Sequence, residues 1–388
     1  MRNPVTLLFV VTEDWYFRSH RLPVARAARD AGWRVVVATR VGEEGEAIAA
    51  EGFDVFPLEL RRGEHRPWRE FGAFSGLLRV HREVAPDIAH HVALKPILYG
   101  GPVTALTRVP VVVNAIAGMG FVFTSEGPRA RLLRPVVRLA LALLLRRRAS
   151  YSIVQNPDDA AAIRALGVPA ERVVTIPGSG VDTVRFAPTP EPAEPVVAAL
   201  VSRMLWDKGV GEFVEAARLL RAQGVPLRLW LVGAPDPENP GSVPAEQLRA
   251  WEAEGVVTWR GVSDDVPGVW ARAHIAVLPS YREGLPKSLL EAAACSRALI
   301  AADVPGSREV ARHRQTGLLV PPRDPVALAR AIRTLGEDGQ LRRRLGDEGR
   351  RLAEREFSEA HIVRRTLDLY RQALKRTRRG QPGSWDPS

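Results

Sequence analysis

Two kinds of segment alternate along the chain. Short apolar runs rich in β-branched residues are separated by longer stretches whose apolar positions recur with helical spacing. Val5–Thr12, Arg34–Thr39, Asp54–Leu58, Asp87–His91, Val111–Asn114, Ser152–Gln155 and Val173–Ile176 predict strands. Between them Leu22–Ala31, Phe74–Val84 and Pro157–Leu166 predict helices, the last opened by an Asn156 cap and by Pro157. Strands that are apolar throughout and separated by helices predict a parallel sheet covered on both faces.

Around Asp182 to Pro195 the alternation stops, and Ala187-Pro188-Thr189-Pro190-Glu191-Pro192 predicts an interdomain linker. It then restarts with strands predicted at Val196–Ser202, Leu227–Gly233, Val256–Trp259, Ile275–Pro279, Ala298–Ala301 and Leu318–Val320. The pattern therefore predicts two similar α/β domains, residues 1–181 and 182–357, joined by a hinge. Ser358 is placed to cap a last helix, 358–379, with Ile362, Thr366, Leu369 and Tyr370 on one face and free to cross back to the first domain. The short polar tail 380–388 predicts disorder.

At 388 residues, 46% hydrophobic and 26% charged, the composition is that of an ordinary globular protein with room for two domains. One cysteine, Cys295, excludes an intramolecular disulfide framework and any multi-cysteine zinc site, which makes a reducing compartment the simpler reading. The run Val5 to Val11 flows into Thr12-Glu13-Asp14 without a small-residue cleavage site, so it reads as a first strand rather than a secretory signal. No apolar stretch approaches the roughly 20 residues of a spanning helix, and a cytoplasmic location is expected. The net charge of +11 calls for an anionic partner. Nucleic acid, acidic phospholipid and phosphorylated substrates all qualify by charge, but no helix-turn-helix, finger or stacking platform is legible, so nucleic acid is not expected.

Candidate chemistry concentrates in two places. Glu283-Gly284-Leu285-Pro286-Lys287-Ser288-Leu289-Leu290-Glu291 follows a predicted strand and opens a predicted helix, with Pro286 suited to an early helical position. Gly284 permits close backbone approach, and the free amides of Gly284, Leu285 and Lys287, with Pro286 (which has no N–H) setting the turn between them, suit phosphate or sugar oxygens. Glu283 in the loop and Glu291 in the second turn can reach different parts of one extended ligand; taken alone, the pair reads better as a loop acid and a helix-surface acid. Their position after a strand end is the natural ligand edge of a parallel sheet. The second place is Ser202-Arg203-Met204-Leu205-Trp206-Asp207-Lys208-Gly209, just after the first strand of the second half. Arg203 offers a bidentate fork and Lys208 a compact charge for a diphosphate; the alternative is two solvated loop cations in a chain with 55 Lys and Arg.

These segments resemble the retaining family 4 glycosyltransferases (glycosyl transferases group 1), whose signature is a Glu, seven residues, then a Glu. Ile176-Pro177-Gly178-Ser179-Gly180-Val181-Asp182, Val304-Pro305-Gly306-Ser307-Arg308-Glu309 and Thr316-Gly317-Leu318-Leu319-Val320 extend the likeness over nearly the whole chain. Within that family, Glu13 to Pro23, Leu94 to Gly100, Gly118-Met119-Gly120-Phe121-Val122-Phe123 and Gly233 to Pro240 are similar to a bacterial branch. Members of that branch extend lipid-linked oligosaccharides or build exopolysaccharide repeat units. The resemblance implies a GT-B fold, two Rossmann-like domains whose parallel sheets face each other across a cleft. It implies that Glu283 holds donor-sugar hydroxyls, Glu291 the ribose hydroxyls, and Arg203 with Lys208 the diphosphate. Retention by front-face attack without a covalent intermediate is implied too, with leaving-group electrostatics and positioning in place of strong acid–base work. A UDP-sugar donor, a polyprenyl-diphosphate-linked saccharide acceptor, no metal and no cofactor are the accompanying expectations.

Departures from the family pattern are also present. Thr12 to His20 occupies the place of a Gly-Gly turn after the first strand, and Asn114-Ala115-Ile116-Ala117-Gly118 stands where many members carry a His. His20, His90 or His91 can substitute for that His or be structural. Acceptor candidates are His20, Arg21 and Lys95, with Arg131, Arg134 and Arg138. The last three share one face of a basic, apolar segment, Arg129 to Arg148, closed by Arg146-Arg147-Arg148. That segment is either an interfacial helix on anionic lipid, holding the enzyme to the inner face of the cell membrane, or a buried helix with cationic ends. An NAD(P)-dependent oxidoreductase or a sugar-nucleotide epimerase of similar fold is the alternative, but neither half carries Gly-x-Gly-x-x-Gly after its first strand.

Overall fold

A computed structural model describes the backbone of residues 4–60, 67–116 and 128–379, and the side chains of residues 4–60, 72–116 and 132–377. The segment Gly118 to Phe123, the side chain of Arg131 and the tail 380–388 lie outside the described residues. Every strand the alternation predicts is present. The first seven are β1 (Thr6–Glu13), β2 (Arg34–Arg40), β3 (Asp54–Pro57), β4 (Ile88–Val92), β5 (Val111–Ile116), β6 (Ser150–Val154) and β7 (Val173–Thr175). They form one parallel sheet in the order β3-β2-β1-β4-β5-β6-β7. The next six are β8 (Val196–Val201), β9 (Leu227–Val232), β10 (Thr258–Trp259), β11 (Ile275–Leu278), β12 (Ala298–Ala302) and β13 (Gly317–Val320). Their sheet is also parallel, in the order β10-β9-β8-β11-β12-β13.

The chain divides into two compact units, residues 1–179 with the chain from Ile362 onward, and residues 180–361. In each sheet three strands are laid outward, then the chain returns to the starting strand and continues the other way. This places a reversal between β1 and β4 in the first unit and between β8 and β11 in the second. At such a reversal the loops leaving neighbouring strand ends splay apart, which opens a crevice for a ligand.

Both faces of each sheet are covered, as continuous apolar strands require. In the first unit Leu7, Phe9 and Val11 of β1 pack on one face with Ile362, Leu369, Tyr370 and Ala373 of the last helix, Glu359–Arg379. Leu8 and Val10 pack on the other face with Leu77 and Val80 of the helix Pro67–Val84. In the second unit the helix Pro325–Glu337 shows how a sequence specifies such a cover. Asp324 caps it by accepting from the Ala327 amide at 2.8 Å, and Pro325 opens it. Leu328, Ile332 and Leu335 then fall on one buried stripe, each worth about 1.5–3 kcal/mol of apolar burial.

Two local features depart from the pattern reading. The stretch Thr12 to His20 extends β1 to Glu13 and then folds into a short helix, Asp14–His20. Asp14 is buried and accepts from the Gly42 and Glu44 amides, at 2.6 and 3.1 Å. Phe17 fills a fully buried slot against Phe9 and Phe53. Seven residues are too few to show a helical period, so packing decides this element. The proline-rich stretch 187–192, for its part, is not a free hinge. The Arg297 guanidinium donates to the Thr189 carbonyl at 2.7 Å, and Arg342 forms a fork on Glu191 with N···O distances of 2.8 and 3.0 Å. Arg350 holds the carbonyls of Thr183 and Phe186 at 3.0 and 2.9 Å. His274 Nδ1 accepts from the Val197 amide, so its Nε2–H donates to the Pro192 carbonyl, at 3.1 Å each. Composition identifies a segment that forms no regular element; these side chains strap it to the second unit.

Candidate active site

The ligand edge of the second sheet is assembled from loops that pack backbone against backbone. Ser202 to Lys208 leaves β8 and ends in a single turn, Trp206–Lys208, before Gly209 in a left-handed conformation (φ 73°). A Cβ on Gly209 would lie 2.3 Å from the Pro279 carbonyl oxygen, so only glycine lets this loop close on the one after β11. A Cβ on Gly233, at the end of β9, would lie 1.9 Å from the Ser202 carbonyl oxygen, which ties the third loop in the same way. The Tyr281 amide donates to the Asp207 carbonyl at 2.9 Å, closing the joint between the β8 and β11 loops.

This packing brings Lys208 and Glu283 together across the reversal. Lys208 Nζ donates to Glu283 Oε1 at 2.6 Å, with the side chains only 20% and 10% exposed. Partial burial strengthens such a pair and fixes both groups in place before any ligand arrives. Arg203 lies further out, 45% exposed, and its Nη1 meets Asp236 Oδ2 at 2.6 Å. Asp236 is itself anchored by its amide donating to Ser242 Oγ at 2.8 Å. Both cations of the β8 loop are thus paired with a carboxylate, Lys208 with Glu283 and Arg203 with Asp236.

Pro286 is the cap residue rather than an early helical one, and the helix runs Lys287–Ala294. Its extended backbone (ψ 113°) turns the chain into the first turn, so Gly284 and Leu285 form the approach to the helix and Lys287 is its first residue. Glu291 falls in the second turn among buried Leu289, Leu290 and Ala292. That burial pushes its carboxyl up to about 7, against a smaller opposing pull from Lys287 and Arg185. A carboxyl held near neutrality at a sheet reversal is typical of ligand-binding positions.

A further group carries no legible motif. Tyr281 donates its hydroxyl to Glu212 Oε1 at 2.5 Å, and the Arg323 guanidinium lies 4.5 Å over its ring. Burial, helped by Glu212, pushes the Tyr281 hydroxyl up to about 12. The only sequence signal for Tyr281 is its place two residues before Glu283; Glu212 and Arg323 come from separate elements and carry none. Among the described residues, no group of three or more His, Cys, Asp or Glu side chains converges as a metal site.

In the first unit, His20 stacks on Tyr16 with ring centroids 4.1 Å apart, and Lys95 lies 5.7 Å from the Tyr99 ring. Arg21 is buried, Arg134 is partly buried and Arg138 is exposed. His90 and His91 are fully buried in β4, where His90 Nδ1 pairs with the Tyr370 hydroxyl and His91 Nδ1 with Asn114 Oδ1. Burial holds His91 down at about 3, so it stays neutral and packs as a core residue.

Two parallel α/β sheets, each with a reversal at its centre, are the architecture of the GT-B fold, and the matches to family models make this chain a glycosyltransferase of that fold. It belongs to the group 1, or family 4, glycosyltransferases. Residues 19–179 match the model described as glycosyl transferase 4-like domain, and residues 195–338 match the one described as glycosyl transferases group 1. The chain is 28% identical to a Campylobacter jejuni protein named N,N'-diacetylbacillosaminyl-diphospho-undecaprenol alpha-1,3-N-acetylgalactosaminyltransferase. That match covers 92% of this chain and 95% of the relative. It is 29% identical to the Bacillus subtilis protein named putative glycosyltransferase EpsD, over 94% and 96% of the two chains. Among solved structures, Anabaena HepE in complex with UDP superposes with a TM-score of 0.76 at 18% identity, covering 95% of this chain and 99% of that one.

Proposed function

We propose that this enzyme transfers a hexose or N-acetylhexosamine, with retention at the anomeric carbon, from a UDP-sugar to a polyprenyl-diphosphate-linked saccharide. The product belongs to bacterial surface polysaccharide or glycoconjugate assembly. The observation that carries the reading is the Lys208–Glu283 pair across the β8/β11 reversal. It presents a cation for the leaving diphosphate beside a carboxylate for sugar hydroxyls. In this reading Arg203 joins Lys208 on the diphosphate, and Glu291 takes the ribose hydroxyls. The bond from the anomeric carbon to the diphosphate breaks as the acceptor oxygen bonds to the same face of that carbon. The acceptor proton passes to the departing phosphate oxygen. The named relatives support the acceptor class, since one acts on an undecaprenol-diphosphate-linked sugar by its name.

The first test is ligand protection. UDP at one hundred times its Kd is expected to stabilise the protein by roughly 2.7 kcal/mol, read as a raised Tm, while NAD and DNA leave Tm unchanged. No protection by UDP would make UDP-sugar the wrong donor class. A screen of UDP- and GDP-sugars against defined polyprenyl-diphosphate acceptors then identifies the donor.

The reading extends to the membrane. Among the described residues no helix is long and apolar enough to span a bilayer. The helix Pro128–Leu145 nevertheless buries Leu141 and Leu145 while leaving Leu132, Val136, Leu139 and Leu143 from 62% to 79% exposed. Those four positions follow one another at helical spacing, so they make an outward apolar stripe. Arg138, Arg146 and Arg148 are exposed on the same segment, and each cation near an anionic surface contributes about 1 kcal/mol. Arg134 and Arg138 share the face of the buried Leu141 and Leu145, whereas the outward stripe runs to the exposed Arg146 and Arg148, and that combination supports docking on an anionic membrane surface, in this reading the cytoplasmic face. Changing Arg131, Arg134 and Arg138 together to Gln is expected to weaken co-sedimentation with anionic liposomes, most clearly at low salt. Changing Leu139 and Leu143 to Ser should weaken it at every salt concentration. Sedimentation equal to wild type in both variants would make this a structural helix only.

A further inference from the structure

Arg21 joins the short helix after β1 to the helix Leu22–Asp30. It is 4% exposed, its Nε is sealed from solvent without a partner, and no ion pair or hydrogen bond to its guanidinium is found among the described residues. The other two deeply buried arginines are held by the protein: Arg342 grips the Glu191 carboxylate, and Arg297, whose Nε and Nη1 are also unpartnered, donates through Nη2 to the Thr189 carbonyl. The acids next to Arg21 in sequence are engaged elsewhere. Glu13 pairs with Arg40 at 2.8 Å, and Asp14 accepts from the backbone amides of Trp15, Gly42 and Glu44. Beside Arg21 lie His90 and Tyr370, both of which respond to its charge. His90 uses Nδ1 on the Tyr370 hydroxyl and leaves Nε2 buried and unpartnered. A buried cation without a counter-charge is costly, and none is found among the described residues.

We propose that Arg21 is the anion-binding residue of the first unit, taking a phosphate oxygen of the acceptor. Arginine suits this task, because its stem packs among apolar groups while the end of its fork meets the oxygen. Topology agrees: His90, beside Arg21, belongs to β4, which with β1 flanks the reversal of the first sheet. The inference rests on the acceptor class proposed above. A polyprenyl diphosphate and a small sugar phosphate share the chemistry.

The experiment uses the full-length enzyme saturated with UDP, so that the diphosphate site of the second unit is filled, and titrates inorganic pyrophosphate by calorimetry and thermal shift. Wild type is expected to bind it and Arg21→Met to bind roughly ten- to a hundredfold more weakly, with Arg21→Lys in between and UDP affinity unchanged in all three. Without pyrophosphate, Arg21→Met should melt at or above the wild-type Tm, because an uncompensated buried charge has been removed. Farnesyl diphosphate competing better than glucose 1-phosphate identifies a lipid-linked source, and the reverse order a soluble one. Pyrophosphate binding equal in wild type and Arg21→Met, or a Tm lowered in both Arg21→Met and Arg21→Lys, overturns the assignment. Failure of UDP to bind wild type would instead overturn the donor reading, independently of Arg21.

Discussion

Lys208→Ala is expected to lower turnover by two to three orders of magnitude, with Arg203→Ala having a similar effect, while the circular dichroism of both variants stays that of wild type. The magnitude is what loss of one preorganised charge at a developing anion costs, about 2.7–4 kcal/mol. Lys208 is held ready by its 2.6 Å contact to Glu283, so little reorganisation is needed when the phosphate arrives. The fold should survive, because both side chains lie on loops whose packing depends on glycines and backbone bonds. Arg203→Lys keeps the charge but not the two-pronged geometry, and an intermediate rate is expected. The measurement is steady-state transfer with saturating donor and acceptor. Normal rates in both alanine variants would remove the diphosphate site from this loop.

UDP affinity in wild type should rise with pH and level off above about pH 7, and in Glu291→Gln it should be weaker and flat across the same range. Burial raises the Glu291 carboxyl to about 7, so below that pH the free protein carries it protonated. A carboxylate accepts from two ribose hydroxyls more strongly than an acid does, so binding favours the ionised form and draws its apparent pKa down. The stability sign runs the other way. The unfolded chain ionises at the ordinary carboxylate value of 4.5 and the folded protein only near 7. Folding therefore loses stability as pH rises between those values and keeps that deficit above them. Glu291→Gln removes the deficit, and the free variant should melt higher than wild type at pH 8 by an amount on the order of 1–3 kcal/mol. Calorimetric titration of UDP from pH 5.5 to 8.5, beside melting curves without ligand, checks both signs. Equal UDP affinity in wild type and variant at pH 8 would make the ribose assignment wrong.

How much of this was legible before the tertiary structure is clearest from individual residues. Apolar runs such as Leu7 to Val11 and Ile275 to Leu278 specify strands buried on both faces, and their spacing implies parallel connection, because hydrophobic period and chain length are local properties. The Glu283 to Glu291 spacing, the cations of the β8 loop and the relation to a family were likewise readable in the linear order. The counterions of those cations were not. Asp236 reaches Arg203 from 33 residues away through the loop of the neighbouring β9, and Glu283 reaches Lys208 from 75 residues away across the β8/β11 reversal. Neither the Arg342 clamp on Glu191 nor the solitary burial of Arg21 has a sequence signature. The sequence by itself determined the strands, the two sheets and the identity of the charged groups, since these follow from each residue's own chemistry and its near neighbours. Only the tertiary structure decided which charges are paired, strapped down or left alone, because burial and partnership are set by residues far apart in the chain.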